Sequence, residues 1–461
     1  MNSEQQYIEL YDQCRELIAR HSCDAMNAVR DEAYRRFVSS GFPTQKVERY
    51  KYTDIARLFE PDYGVNLQRI NIPVDPYKAF NCDVPNLSTC LYFMVNDAFY
   101  HKGEAHEVKG EKTVQPKLPE GVIIGPMKDH SDIIAPYYNK LASKDEAAVS
   151  DLNTMLAQDG LLVYVPRGVT VERAVQVINI LKAPSTSHPS PLTSHFMVNR
   201  RVLIIMEEGA EIKLLFCDHA ADDCHFLTTQ VIEAFVGERA RLDLYCLEET
   251  HNKNVRVSNV YIDQLRDSHV RHNVLTLHNG ITRNKLDLML SGKGAECECY
   301  GCVIADKHQH VDNNTLVIHH AENCTSHELY KYVLDEQATG AFAGRVLVEH
   351  GAQKTSSQMT NQNICTTPEA RMYTQPMLEI YADDVKCAHG STVGQLNDAA
   401  MFYMRQRGIS EREARTLLLQ AFINEVVGLI DLEPLRDRLH YLVEKRFRGE
   451  FNKCKGCKLC H

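Results

Sequence analysis

The segment Asp383–Leu396, with the sequence DDVKCAHGSTVGQL, separates two kinds of sequence in this chain. The residues before it form short runs of alternating polar and apolar side chains, whereas those after it have the apolar spacing of helices. Within the segment, Cys387 and His389 are two residues apart, so on an extended strand both side chains point to the same face. Because a thiol and an imidazole are ligands for iron, zinc or copper, this junction is a candidate metal site.

The composition of the 461 residues is that of an ordinary soluble protein, with 44% hydrophobic and 24% charged residues. The formal net charge of −10 argues against general binding to nucleic acid or to anionic membranes. No apolar run reaches the roughly 18 residues that a membrane span requires. Since Met1–Glu9 lacks the basic-then-apolar pattern of an export signal, we expect a cytoplasmic protein.

The 16 cysteines are predicted to be reduced thiols rather than disulfides. Disulfide frameworks are typical of small exported domains, and this chain is long and has no recognisable export signal. We therefore expect Cys217, Cys246, Cys297 and Cys299, which lie in apolar runs, to be small core residues.

The sequence from about residue 160 to residue 391 repeats a short unit in which a small residue at a turn precedes an alternating run. Gly209-Ala210 precedes Glu211–Phe216, and Gly294-Ala295 precedes Glu296–Tyr300. Persistence of this unit over ~230 residues predicts a solenoid of stacked β-coils. A β-sandwich is the alternative, although hairpin turns are scarce and Asn279-Gly280 is the only Asn-Gly pair.

Helical patterns flank the alternating region on both sides. Apolar residues recur at helical spacing through the first 55 or so residues, and Pro43 interrupts that pattern. We predict four parts: an N-terminal helical region at 1–90, a β-helix core at 91–391 with a helical piece near 144–158, a C-terminal helical domain at 392–450 and a Cys-rich tail at 451–461.

The C-terminal domain is predicted to contain three helices. Ala399–Arg407 and Leu432–Phe447 are two of them, and the Ser410 and Glu413 side chains form a capping box that begins the helix between them. An apolar stripe on this middle helix predicts its core-facing side, and it comprises Ala414, Leu417, Leu418, Ala421, Phe422, Val426 and Leu429.

Two further groups of metal-ligating residue types occur in the sequence. The histidines at positions 308, 310, 319, 320 and 327 fall near strand ends, where we interpret them as hydrogen-bonding groups rather than ligands. The C-terminal tail is different, since its beginning resembles an iron–sulfur ligand run and its lysines favour thiolates. Metal binding and an unstructured tail are equally compatible with its four ligand types, Cys454, Cys457, Cys460 and His461.

Several longer motifs together resemble the SufB/SufD family of SUF iron–sulfur cluster assembly scaffolds, and within it the SufD-type subunits. These motifs are GFPTQKVERYKYT at 41–53, ELYKYVLDEQATG at 328–340, the segment 344–358 and LEIYADDVKCAHGSTVGQL at 378–396. Their number and their order along the chain make the resemblance far more specific than a single Cys-x-His pair.

The resemblance implies a mainly β protein, with a right-handed parallel β-helix core flanked by N-terminal and C-terminal α-helical domains. It also implies a non-enzymatic scaffold that pairs with a SufB-like subunit and docks the SufC ATPase through C-terminal helices at about 397–447. A nascent iron–sulfur cluster would be shared across the SufB-like interface, and the family's histidine maps onto His389, with Cys387 as a weaker candidate. Flavin binding in the assembled complex and self-association of isolated chains remain open.

Two other functions are compatible with the residue patterns alone. One is a β-helix carbohydrate-active enzyme, although such enzymes usually carry an export signal. The other is a homodimeric metal-binding module that uses the C-terminal cysteines. ATP hydrolysis by the chain itself is not expected, because the G-x-x-x-x-G-K-[ST] phosphate-binding motif is absent from the sequence.

Overall fold

The computed structural model is a β-solenoid in which the chain alternates between two facing sheets. The structure describes residues 3–70, 72, 74–76, 90–100, 105–108, 111–114, 117–143, 148–183 and 195–449. Successive strands of the stacked coils are parallel and align residue by residue, so that Ile281 lies beside His310 and His310 beside Thr339. The expected mainly β fold with a solenoid core is therefore confirmed, and the β-sandwich alternative is wrong.

The first sheet carries the odd-numbered strands of the solenoid, and β6 adds to its end antiparallel to β7. From the C-terminal to the N-terminal end its strands are β21 Arg371–Ile380, β19 Thr339–Val348, β17 His310–His319, β15 Ile281–Leu290, β13 Val255–Gln264, β11 His225–Val236, β9 His195–Met206, β7 Leu161–Val165 and β6 Ile123–Pro126, with β1 Gly64–Val65 paired to β9.

The second sheet carries the even-numbered strands and ends in a short antiparallel pair. Its strands are β22 Lys386–Gly394, β20 Ser356–Cys365, β18 Thr325–Leu334, β16 Glu296–Ala305, β14 His269–His278, β12 Arg241–Glu249, β10 Glu211–Ala220, β8 Val175–Leu181, β2 Cys90–Val95 and β3 Ala98–Tyr100. A separate hairpin consists of β4 Ala105–Val108 and β5 Glu111–Val114.

Helices cover parts of both outer faces. Short 3₁₀ turns also occur at Glu48–Tyr50 and Met127–Asp129. The α-helices are α1 Ser3–Arg20, α2 Asp24–Asn27, α3 Arg30–Ser40, α4 Ile55–Leu58, α5 Ser131–Ile134, α6 Ala148–Leu156, α7 Asp398–Gln406, α8 Glu411–Val427 and α9 Glu433–Phe447. Within the part of the chain that the structure describes, none of these helices has the length and apolar character needed to cross a membrane.

The space between the two sheets is the main core. Inward residues of parallel strands form columns, as where Leu214 of β10 lies beside Leu244 of β12, and such columns bury apolar surface continuously. Gly301 shows how tight this packing is, because a Cβ atom there would lie 2.1 Å from the ring of Tyr330 on the next strand. All twelve cysteines within the described residues are free, and the four predicted core cysteines are buried.

The N-terminal helices pack on the outer face of the first sheet through a second apolar layer. All nine residues of α6 are buried in this layer, with Phe37 on one side and Leu227 and Val257 of the sheet on the other. Residues 144–147 of the predicted helical piece lie outside the described residues, and the helix that is described begins at Ala148.

The segment that follows α3 fastens the N-terminal region to the later coils. The Arg49 guanidinium donates to Asp287 of β15 at 2.6 Å, and the Thr53 hydroxyl donates to Asp312 of β17 at 2.7 Å. Tyr52 stacks on Tyr373 of β21 with ring centroids 5.0 Å apart. Residues from the start of the chain therefore contact even the last strand of the first sheet.

The C-terminal helices α8 and α9 pack on the outer face of the second sheet. As predicted, α8 begins after Ser410, whose hydroxyl accepts a hydrogen bond from the Glu413 amide at 3.3 Å. The predicted stripe is partly wrong, because Leu417 and Ala421 are exposed. Residues two positions apart on a helix differ by about 200° around its axis, so packing centred on Leu419, Ile423, Val426 and Val427 turns these two side chains outward.

A buried ion pair within the first sheet also binds the backbone of the segment after α5. The Arg201 guanidinium and the Glu233 carboxylate lie 2.5 Å apart, and both side chains are fully buried. The same carboxylate accepts hydrogen bonds from the backbone amides of Asn139, Leu141 and Ala142 at 2.8–3.0 Å. Every charge-bearing oxygen of Glu233 thus has a donor, which offsets the cost of its burial.

Replacing Glu233 with alanine should lower the free energy of unfolding by about 3–5 kcal/mol, because it leaves the buried Arg201 guanidinium without its counter-charge. Denaturant unfolding followed by circular dichroism measures this. The matched control is Glu322→Ala, which removes an exposed partner of Lys293 and should leave the free energy of unfolding nearly unchanged. Equal effects of the two substitutions would contradict the stabilising role of the buried Arg201–Glu233 pair.

Candidate functional site: the terminal coil

The predicted Cys387–His389 pair lies on β22, the last strand of the second sheet. Cys387 is the register partner of Ser357, and His389 is the register partner of Met359, on β20. Met359 belongs to the core between the sheets, and Cys387 packs against that core. Both side chains therefore occupy inward-facing positions, so their predicted common face is confirmed.

The position of β22 at the end of the solenoid leaves the pair accessible. Within the described residues, β22 pairs with β20 along one edge, and no further coil covers its other edge. His389 is consequently exposed and Cys387 is half-buried, although the equivalent positions of earlier coils are sealed. An external group can reach this imidazole directly.

Hydrogen bonds hold the terminal strand in its register. The Lys386 amide donates to the Thr355 carbonyl at 2.8 Å, and the Asn363 side-chain amide donates to the Thr392 carbonyl at 2.8 Å. Across the interior, the hydroxyl groups of Thr374 on β21 and Ser391 on β22 lie 2.7 Å apart. The last coil is thus closed by contacts between the two sheets, and the pair sits on an ordered strand.

The charge state of the Cys387 thiol reflects its half-buried position. Burial raises the pKa of this thiol, while a backbone hydrogen bond from Ser357 opposes the rise. The group is therefore a neutral thiol near pH 7 and must lose its proton before it can bind a metal ion.

The pair does not form a complete metal site by itself. Among the described residues, no group of three or more His, Cys, Asp or Glu side chains is arranged to hold a metal ion. A tetrahedral or cluster site needs more ligands than this thiol and this imidazole provide. Any metal bound here would take its remaining ligands from another molecule.

The five histidines between positions 308 and 327 are not brought together into a site. His310 hydrogen-bonds to Thr53 at 2.9 Å, His319 to the Ser326 hydroxyl at 2.8 Å, and His320 to the Glu349 carboxylate at 2.6 Å on the surface. His327 hydrogen-bonds through its ring nitrogen to the Tyr300 hydroxyl at 3.3 Å, and the two rings meet edge to face. These contacts agree with the interpretation of the histidines as hydrogen-bonding groups.

Two family models match successive parts of this chain. Residues 191–422 match the family described as SUF system FeS cluster assembly, SufBD core domain. Residues 1–177 match the family described as SufBD protein N-terminal region. The chain belongs to the SufBD family. The resemblance drawn from the sequence motifs is therefore confirmed.

Three relatives illustrate how far the similarity extends. An iron–sulfur cluster assembly SufBD family protein of Synechocystis is 28% identical over 417 residues, which cover 88% of this chain and 87% of the relative. The iron–sulfur cluster assembly protein SufD of Escherichia coli is 27% identical over 436 residues, covering 90% and 91%. SufD of Bacillus subtilis is 24% identical over 380 residues, covering 81% and 83%.

A second exposed surface of this SufBD family chain is the helix α7, which directly follows the terminal strand. None of its residues is buried, and Phe402 and Tyr403 are 63% and 58% exposed. Helices without a buried face are seldom stable alone, so a partner face is expected here. The sequence pattern predicts a helix here but does not identify its exposed aromatic side chains, since the short apolar pattern does not specify which face is covered.

The Cys-rich tail lies outside the described residues. Cys454, Cys457, Cys460 and His461 therefore remain predicted ligands only.

In the folded protein, N-ethylmaleimide should modify Cys387 faster than it modifies Cys297 or Cys299, because these two thiols are sealed inside the solenoid. Since the pKa of the Cys387 thiol is raised above its usual range, its rate should still be increasing at about pH 9. Peptide mass spectrometry after short labelling pulses measures each cysteine separately. A Cys387 rate that levels off below neutral pH, or matches that of Cys297, would contradict this geometry.

Proposed function

We propose that this chain is a non-enzymatic scaffold subunit of a SUF assembly, and that it contributes His389 to a nascent iron–sulfur cluster shared with a SufB-like subunit. Membership of the SufBD family supports the process, and the names of its relatives refer to iron–sulfur cluster assembly. The observation that supports this site is that the His389 imidazole is exposed although it occupies an inward-facing position, because the terminal coil is open.

The pairing surface would be the open end of the solenoid. Strand edges carry unpaired backbone donors and acceptors, which favour addition of further strands. Exposed apolar side chains surround this end, and they include Tyr373 and Ile380 of β21, the adjacent Tyr381, and Val393 of β22. A SufB-like subunit that covers this end edge to edge would bury these side chains together with the Cys387–His389 pair.

Sharing the cluster between two subunits explains the incomplete ligand set. The cluster is a cargo of the assembly, so the site must bind iron and sulfide and later release them. A site divided between two chains can be opened by a small rearrangement of the subunits, whereas a site enclosed in one chain cannot. His389 would act as a neutral nitrogen ligand, with the remaining ligands supplied by the partner.

The SufC ATPase would dock on the C-terminal helices, where α7 offers an exposed aromatic face. Helix α8 connects this face to the solenoid, because the Lys331 ammonium of β18 pairs with Glu425 and lies 4.3 Å from the ring of Phe422. Movement imposed on α7 and α8 by ATP hydrolysis would therefore reach the second sheet, which carries β22. This connection supports a role in opening and closing the shared site.

His389→Ala should abolish cluster delivery, with a fall on the order of 100-fold in the rate at which an apo-ferredoxin is matured. The purified complex of this chain with its SufB-like and SufC partners should still form, because an exposed side chain contributes little to folding. The matched control is His320→Ala, which removes another exposed histidine on the same solenoid. Normal maturation by the His389 variant would overturn the site assignment.

Phe402→Asp should weaken binding of the SufC ATPase by about 2 kcal/mol or more, because a charge replaces a central aromatic contact. Calorimetric titration of SufC into this chain measures the loss. Leu265→Asp serves as the control, since Leu265 is 44% exposed in a turn before β14 and should leave SufC affinity unchanged. Equal losses for both variants would show that α7 is not the docking surface.

A further inference from the structure

The interior of the solenoid becomes polar toward the end that carries the Cys387–His389 pair. In the earlier coils, the inward column that leads to His389 contains leucines, Leu214 and Leu244. The later register partners in that column are His272 on β14, Cys299 on β16, Glu328 on β18, Met359 on β20 and His389 on β22.

Glu328 is the one carboxyl group in this later part of the column. Its side chain is fully buried, and neither carboxylate oxygen has a hydrogen-bond partner within the described residues. The groups that face it are the Cys299 thiol from β16, the Tyr330 phenol of its own strand and the Thr315 hydroxyl from β17. An acid without a counter-charge is costly at a core position, and packing alone does not explain it.

The protonation state of Glu328 follows from these surroundings. Burial raises the pKa of its carboxyl group to about 7, opposed by the Thr315 hydroxyl. The neighbouring Cys299 and Tyr330 groups both have raised pKa values, so they stay neutral at that pH. Glu328 is therefore the group in this region that can change charge near neutral pH.

Buried hydroxyl groups connect the region of Glu328 with the terminal coil. The Ser326 side chain, two residues before Glu328 on the same face, donates to the Ser357 hydroxyl at 2.8 Å. Ser357 is in turn the register partner of Cys387. On the other side, the His319 imidazole hydrogen-bonds to Ser326 at 2.8 Å. The two residues directly beneath Cys387, Ser357 and Ser326, are therefore polar and hydrogen-bonded to each other, whereas Met359 separates Glu328 from His389.

We infer that Glu328 is the internal counter-charge of the terminal site, and that binding of a cation at Cys387 and His389 favours the ionised form of its carboxyl group. The inference rests on the proposed function and adds a residue to it. Glu328 lies two strand spacings, roughly 10 Å, beneath His389 and makes no direct contact with the bound cation. It is a positioning residue that acts through charge.

The proton balance of this step is simple. A divalent cation displaces the proton of the Cys387 thiol and attracts negative charge to the interior, so the Glu328 carboxyl group also releases its proton. Both protons end in solvent, and no electrons are transferred.

The first test needs no metal, so it is independent of the proposed function. Maleimide labelling of Cys387 is followed by peptide mass spectrometry in the wild type and in Glu328→Gln at pH 6 and pH 8.5. At pH 8.5 the ionised Glu328 suppresses the thiolate, so the variant should react faster by a factor on the order of ten. At pH 6 Glu328 is protonated, and the two rates should agree.

The control is Glu248→Gln, which neutralises another fully buried carboxyl group whose pKa is raised to about 7 but which accepts hydrogen bonds from Thr282 on β15. Its Cys387 rates should match those of the wild type at both pH values. A rate change in Glu328→Gln of the same size at pH 6 and pH 8.5 would indicate a packing effect and overturn the inference, as would no change at all.

The second test measures proton release on binding of Cd²⁺, using the chain with Cys454, Cys457 and Cys460 replaced by serine. Calorimetry in two buffers of different ionisation enthalpy counts the protons released for each bound ion. At pH 6, where Glu328 is protonated in the metal-free protein, Glu328→Gln should release fewer protons for each bound ion than the wild type does. Absence of Cd²⁺ binding would count against the proposed site, whereas binding with equal proton release would count against the role of Glu328.

Infrared difference spectra of the wild type keep the inference testable if Glu328→Gln folds poorly. Loss of a protonated carboxyl band on addition of Cd²⁺ is the expected result. An unchanged band on a protein that has bound Cd²⁺ would overturn the inference.

Discussion

The in-register stacking of parallel strands is the constraint on which this structure depends. Each inward side chain lies on the equivalent residue of the coil before it and beneath that of the coil after it. Shape must therefore match along a column, as Gly301 does where it receives the ring of Tyr330. Polarity must match as well, because a polar group in a column can be satisfied only by its neighbours above, below or across the interior.

The terminal coil obeys the same constraint on one side only. Cys387 and His389 occupy positions that are core positions in every preceding coil, yet no strand among the described residues lies above them. This explains how a side chain can be directed inward and still be exposed. It also explains why the pair is well placed for a shared site. The ordered strand β22 holds the His389 ring in position, and the outer side of that ring is accessible to a partner.

Features set by neighbouring residues could be predicted from the sequence, whereas the alignment of residues between coils could not. The Ser410 capping box located the start of α8, and the spacing of Cys387 and His389 correctly placed both on one face of a strand. The column that contains Glu328 could not be deduced, because turns of unequal length separate its members and shift the register from coil to coil. The exposed side of α8 was predicted wrongly for a related reason. Its apolar residues are compatible with more than one packing angle, and contact with the second sheet decides which angle is adopted.

The contacts of the segment around residues 48–53 have a consequence for synthesis of the chain. Tyr52 stacks on Tyr373, and the Gln375 side chain donates to Glu48, a residue 327 positions earlier. Tyr52 is synthesised long before β21. These contacts can therefore form only after nearly all coils have emerged from the ribosome. The protein thus completes its two ends together, and a chain released too early would leave its beginning unfastened.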